Sequence, residues 1–434
     1  MNKLCTAGTP GHARSRMTRL VLDKVTCCLR MSPAVILLLT AGIHAQTTAY
    51  THAAIIDGNG GAPIADGTLI VTNERISAIG PAAKIKAPAG AQVVDLAAQT
   101  IMPGIINLHS HIGENTAARA RTYAKYGVTT TVGLGGDGDE TFKLRAAQRA
   151  GDVQGARVYT VGRRFEFDKD PAEARKLVAT LADQHVDAVK IVIDNRRGTA
   201  VKLPREVSLA VIDEAHKRHL RVFAHIHDYD DAKFLVDNGV DMLAHEVRDR
   251  DIDEAMISAM KKRRVVITPT LSRELSVFVF ADSPSWLNDP FFINGTTPER
   301  LRRAEELKVS QAKDPAIALN RRDFEMASRN LKKMAAAGVR IAFGSDSGNG
   351  PPRYEGFFEH LEMELMVKEG GMTPMQVIQA FSKTNSEALG VDKDYGTLSK
   401  GKVADFLVLR KNPLDDIVNT RTLSAVYLGG KRFE

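Results

Sequence analysis

Apolar positions along this chain follow two regimes. From Ala53 to about Val94 they come in short runs broken by turn residues: Ala53 to Ile56 before Asp57-Gly58, Leu69 to Val71 after Gly67, and Ile76 to Ile79 before Gly80. Such spacing predicts a small antiparallel sheet. Strand-like runs return at the far end, from Gly401 to Leu409 and from Ser424 to Gly430. Two β-rich ends around a long middle predict one small sandwich built from both, since chain termini often lie close together.

The middle alternates buried-strand runs with amphipathic stretches, the signature of parallel βαβ units. Eight such runs stand out: Ile105 to His111, Val128 to Gly133, Arg157 to Gly162, Ala188 to Ile193, Val222 to His227, Met242 to His245, Val265 to Thr270 and Ile341 to Ser345. Between them lie helical patterns such as Val207 to His216 and Leu331 to Ala337. Eight strand-then-helix repeats favour an α/β fold of the (β/α)8 TIM-barrel type over a doubly wound sheet. The expected organisation is a leader over 1–45, sandwich parts over 46–101 and 396–434, and a barrel over 102–395. The stretch from Arg273 to about Asp323, with Trp286 and several prolines, is expected to hang over the C-terminal mouth as a partly ordered lid.

Composition changes this picture only at the N-terminus. A hydrophobic fraction of 44% and a charged fraction of 26% in 434 residues are ordinary for a globular protein. The net charge of +7 is concentrated in residues 1–45, where Lys3, Arg14, Arg16, Arg19, Lys24 and Arg30 face only Asp23. That segment carries six minus one, or +5, and leaves +2 for the rest, so no basic arm for nucleic acid remains. The same segment holds Cys5, Cys27 and Cys28, the apolar run Ala34 to Leu39, and Ile43-His44-Ala45. A basic lead, a short apolar core and a small residue at the cut predict a secretory signal, with Met1, Met17 and Met31 as alternative starts. A cytosolic tail is the competing reading. The run is too short for a permanent membrane span. An exported chain, periplasmic or secreted and cut after Ala45, would have no cysteine, and any metal would need N and O ligands.

Candidate chemistry gathers at the predicted strand ends. His109 and His111 lie at i and i+2, so one strand face presents both imidazoles, enough to chelate a metal. Lys190, the pair His225 and His227, His245, and Asp346 end the fourth, fifth, sixth and eighth runs. Each has an ordinary explanation: a snorkelling lysine, satisfied core histidines, an aspartate capping a helix. Ordinary explanations coinciding at five strand ends are far less economical than one site, because barrel active sites sit at this face.

These residues, in this order, resemble the amidohydrolase superfamily, in the branch of imidazolonepropionases and prolidase-like dipeptidases. The resemblance rests on Pro103 to His111, Lys190, His225, Gly239 to His245, Gly344-Ser345-Asp346 and Gly396 to Asp405, and covers nearly everything from Ala53 onward. It implies two divalent metal ions, usually zinc, one on His109, His111 and Asp346 and the other on His225 and His245. Lys190, carbamylated by carbon dioxide, would bridge them. Asp346 would then be the catalytic acid and base for cleaving C–N bonds in amides, dipeptides or cyclic amides. A lactonase or esterase on the same centre and a metal-free binding protein of the same fold are the alternatives; none of the six ligands is missing. His227 and Arg353 are candidate substrate contacts, because forked guanidinium groups at the mouth suit a carboxylate-bearing small molecule. Further copies of the chain, as a homo-oligomer, are the other expected partner.

Overall fold

The computed structural model describes residues 46–434 apart from 152–154 and 350–352. The expected leader and its cysteines lie outside the described residues. Five strands come first: β1 (Thr47–Ile55), β2 (Ile64–Thr72), β3 (Arg75–Pro81), β4 (Gln92–Asp95) and β5 (Thr100–Pro103). β1 starts upstream of the predicted Ala53. Its alternation is hidden in the sequence because His52 sits at φ 60° and the register against β2 shifts between Tyr50 and Ala53. The first half of β1 pairs with β4 and its end pairs with β5.

Nine parallel strands follow. They are β6 (Ile105–Ser110), β7 (Val128–Gly133), β8 (Arg157–Thr160), β9 (Arg164–Phe165), β10 (Val189–Val192), β11 (Val222–His225), β12 (Met242–Ala244), β13 (Val266–Thr268) and β14 (Arg340–Ile341). The expected closed eight-strand ring is present as two arcs, β6-β7-β8 and β9 through β14. Backbone hydrogen bonds stitch both seams, from Leu108 N–H to Phe343 O (3.0 Å) and from Asp187 N–H to Thr160 O (2.9 Å). The ladders stop short because β14 has two residues and because the chain turns at Gly162, φ 64°, so that β9 rather than β8 pairs with β10. Ile106, Leu108, Val132, Phe223, Met242 and Val266 form a separate buried cluster drawn from both arcs, as the inward faces of a ring require. Outside it, helix Arg205–Lys217 buries Val207, Val211 and Ala215 at four-residue intervals against the strands.

β15 (Phe406–Leu409), β16 (Leu423–Leu428) and β17 (Lys431–Arg432) return to the first sheet. Its order is β17-β16-β15-β5-β1-β2-β3, so the first and last described strands share one body. That body is a single hydrogen-bonded sheet rather than the predicted sandwich, because β5 bridges β1 and β15 in one ladder. The sheet curls over Tyr50, Phe406 and Tyr427, with Phe406 and Tyr427 stacked at 4.3 Å.

The segment predicted as a partly ordered lid is helical, with α-helices at Leu271–Ser276, Pro290–Gly295, Pro298–Ala312 and Ile317–Ala336. Pro290 and Pro298, two of the prolines in that stretch, open helices behind the caps Asp289 and Thr297. Trp286 packs at 5.2 Å from both Phe292 and Phe357 and pins the segment to the body. Among the described residues no helix is long and apolar enough to cross a membrane.

Candidate active site

Every predicted ligand reaches one cavity of about 630 Å³. β6 delivers His109 and, one step past its end, His111; β10 delivers Lys190 and β11 His225; His245 and Asp346 lie just beyond β12 and β14. Strict alternation would turn Leu108 and His109 to opposite faces, yet both point inward. The pairing of β6 with β7 shifts register between Asn107 and Ser110, which reconciles them. His245 and Asp346 also hold left-handed backbone, at φ 71° and 54°. Strain of this kind in non-glycine residues persists where surroundings enforce it, commonly at functional sites.

The four imidazoles form a chain. Ring centroids are 5.9 Å apart for His111 and His109, 4.7 Å for His109 and His245, and 4.5 Å for His245 and His225. Outer contacts orient them. His111 Nδ1 faces Gly135 O at 3.3 Å and His245 Nδ1 faces Thr270 Oγ1 at 2.6 Å, leaving Nε2 of each for the cavity. Asp346 Oδ1 lies 2.8 Å from His111 Nε2 and 3.3 Å from His109 Nε2. One donor atom from each of these three residues falls within 4.8 Å of the others.

Electrostatics favours neutral imidazoles, the form that binds metal. Burial holds His109 and His245 well below the usual histidine range and brings His225 down to about 4. Burial also brings Lys190 down to about 7, and its Nζ has no hydrogen-bond partner. For Asp346, burial alone would raise the carboxyl, but Arg353 and His109 hold it well below the carboxylate range.

The substrate-contact predictions fare differently. Arg353 is a pocket-lining residue, but its guanidinium is bonded to Asp346 Oδ2 and to Asn349 O (2.8 Å). The guanidinium expected to meet a substrate carboxylate thus holds a protein carboxylate. His227 lines the cavity, with Nδ1 2.7 Å from Asp228 and Nε2 3.6 Å from Asp323. The other mouth arginines are largely committed too: Arg164 and Arg196 to Glu166, Arg197 to Asp323, Arg248 to Glu274.

Three contributors escaped the sequence reading. Asp194 accepts from His225 Nε2 at 2.9 Å; it stands at a strand exit like the ligands, which was the available signal. Asn107 accepts the His109 N–H at 2.9 Å and donates to Glu359 at 2.7 Å. Glu359, on helix Phe357–Lys368, is fully buried and also bonds Ser345, Ser347 and Gly356, a convergence invisible along the sequence.

Comparison with known proteins finds relatives of this chain. An ochratoxinase from Aspergillus niger is 26% identical over 235 residues, a match spanning 53% of this chain and 41% of that relative's length. A Bifidobacterium longum protein assigned as a prolidase superposes with a TM-score of 0.74 at 26% identity, covering 90% of this chain and 95% of the other. A Xaa-Pro dipeptidase with methionine in its active site shares the fold, with a TM-score of 0.72 at 22% identity over 90% of this chain and all of that one. The model of the amidohydrolase family matches residues 100–433, from β5 through the last strand, and by that match the chain belongs to the amidohydrolase family.

Proposed function

We propose that this protein is a metal-dependent hydrolase of C–N bonds in a small amide, dipeptide or cyclic amide. The observation carrying the proposal is the convergence of four imidazoles, Asp346 and Lys190 on one cavity. The donor set fits a cation. Asp346 Oδ1, His109 Nδ1 and Lys190 Nζ are buried without hydrogen-bond partners, and the Nε2 atoms of His111 and His109 lie 2.8 and 3.3 Å from Asp346 Oδ1. Buried polar atoms left unpaired cost free energy that a bound cation would recover.

His109, His111 and Asp346 would hold one divalent ion, with His225 and His245 holding a second; zinc suits such N and O donors. Bound metal supplies Lewis acidity toward the acyl oxygen and acidifies water. The chain supplies the rest. Asp346, kept anionic by Arg353, is placed to take a proton from the attacking water and return it to the leaving nitrogen. Lys190, near 7, exposes a share of free amine at neutral pH. That amine can add to carbon dioxide, forming an N–C bond and releasing one proton, to give an anionic two-oxygen ligand. Glu166, Asp194, Glu274, Asp314 and Asp323 offset the cavity arginines, so a substrate carboxylate is permitted rather than demanded. Likeness to a prolidase makes dipeptides the first class to test. Export with removal of residues 1–45 belongs to the same proposal and is tested by sequencing the mature N-terminus.

The functional test is a screen of zinc-loaded protein against dipeptides, N-acyl amino acids, hydantoin-like rings and lactones. Chelator-sensitive amide cleavage is the expected result. Turnover of lactones alone would replace the proposal with a lactonase.

A further inference from the structure

Asp194 has no place in the ligand set, yet it is the residue that decides which nitrogen of His225 is free. Its Oδ2 lies 2.9 Å from His225 Nε2, with the two side chains only 13% and 17% exposed. A carboxylate only accepts, so the imidazole must carry its proton on Nε2. Nδ1 is then the nitrogen left for the cavity. This is the reverse of His111 and His245, which spend Nδ1 outside and keep Nε2. A second bond fixes the carboxylate itself: the Arg196 N–H donates to Asp194 Oδ1 at 2.7 Å. That turn is strained, since Arg196 and Arg197 hold φ 50° and 58° ahead of Gly198 at 86°. Side-chain ties from Arg196 to Glu166 and from Arg197 to Asn320 (2.9 Å) and Asp323 keep it in place.

We infer that Asp194 is a positioning residue that locks His225 in the Nε2–H tautomer, so that Nδ1 faces the second metal position. The inference rests on the metal-dependent reading above and specifies one ligand atom of that centre.

The test uses the full chain as wild type, Asp194→Asn and Asp194→Ala, with Co²⁺ as the probe. Visible absorption and competition against a chelator report each ion's affinity. Removal of such an outer partner typically costs 10–100-fold in metal affinity. Asp194→Ala is expected to lose this much for one ion and to leave the other within threefold of wild type. Asp194→Asn, which keeps a neutral acceptor and the Arg196 turn, is expected to fall between. Equal affinity for both ions in all three proteins, or loss of both ions together, would overturn the inference. In the metal-free protein, ¹⁵N shifts of labelled histidines read the tautomer directly: Nε2–H in wild type, a mixture in Asp194→Ala. Wild type that binds no cobalt would refute the functional reading. The tautomer spectrum would still decide the role of Asp194, which falls if wild type shows Nδ1–H.

Discussion

Replacing Glu359 tests whether the strand ends carrying the ligands are held from behind. Oε1 accepts Asn107 Nδ2–H (2.7 Å), Ser345 Oγ–H (2.6 Å) and Ser347 Oγ–H (2.5 Å), and Oε2 accepts Gly356 N–H (2.7 Å). Glu359→Ala leaves Ser345 Oγ–H and Gly356 N–H buried and unpaired, while Asn107 Nδ2 keeps Ser345 Oγ (3.1 Å) and Ser347 Oγ keeps Tyr123 OH (2.8 Å). Each unpaired group costs about 1–3 kcal/mol, so the loss is roughly 2–6 kcal/mol. That rivals a typical domain's total stability of about 5–15 kcal/mol, so this variant can fail to fold. Glu359→Gln is the sharper probe. With its carbonyl at the Oε1 position it keeps three of the donors, and its NH2 meets only Gly356 N–H. The expected cost is about 1–3 kcal/mol, the penalty for one clashing donor. Urea unfolding at pH 7 measures both. Asn107 also positions the His109 N–H, so Glu359→Ala, where it folds, should bind metal more weakly as well, whereas Glu359→Gln, which keeps the acceptor of Asn107, should not. A cost under about 1 kcal/mol for Ala, or equal costs for Ala and Gln, would refute the hub.

Three further outcomes are expected. His360, fully buried against Thr420 Oγ1 (2.9 Å) and Tyr126 O (2.8 Å), is lowered by burial from 6.5 to about 3. The unfolded chain therefore binds a proton that the fold excludes, and stability falls as pH drops from about 6.5 toward 3. At pH 5 the 1.5-unit gap costs about 2 kcal/mol, so the stability lost between pH 7 and pH 5 in urea curves should be about 2 kcal/mol smaller for His360→Gln than for wild type. Asp405→Ala leaves Arg157, which joins β8 to the terminal sheet, without its carboxylate; about 3–5 kcal/mol should be lost in denaturant unfolding. Lys190→Met should leave stability equal or raised, because a buried amine without a partner is removed, while bound metal by elemental analysis drops.

What could be read from sequence and what could not divide along a physical line. His109, His111, Lys190, His225, His245 and Asp346 were legible because each ends an apolar run, and period-two strands place such ends on one rim. β1 was obscured by the irregularity at His52, and the lid's helices by Pro290 and Pro298, whose fixed φ serves a turn and a helix start equally well. Asp194, Asn107 and Glu359 could not be placed, since their meaning lies in partners from other elements: Asn107 and Glu359 meet across 252 residues. Arg353 shows the converse: a guanidinium at the mouth is legible, but its bond to Asp346 appears only in three dimensions.

Metal content tests the central claim most directly. Wild-type protein purified without chelator, in buffer containing bicarbonate and zinc, should carry two ions per chain by elemental analysis, and His109→Ala should lose metal while its far-ultraviolet circular dichroism stays that of the folded chain. Fewer than one ion per wild-type chain, or full occupancy in His109→Ala, would contradict the account.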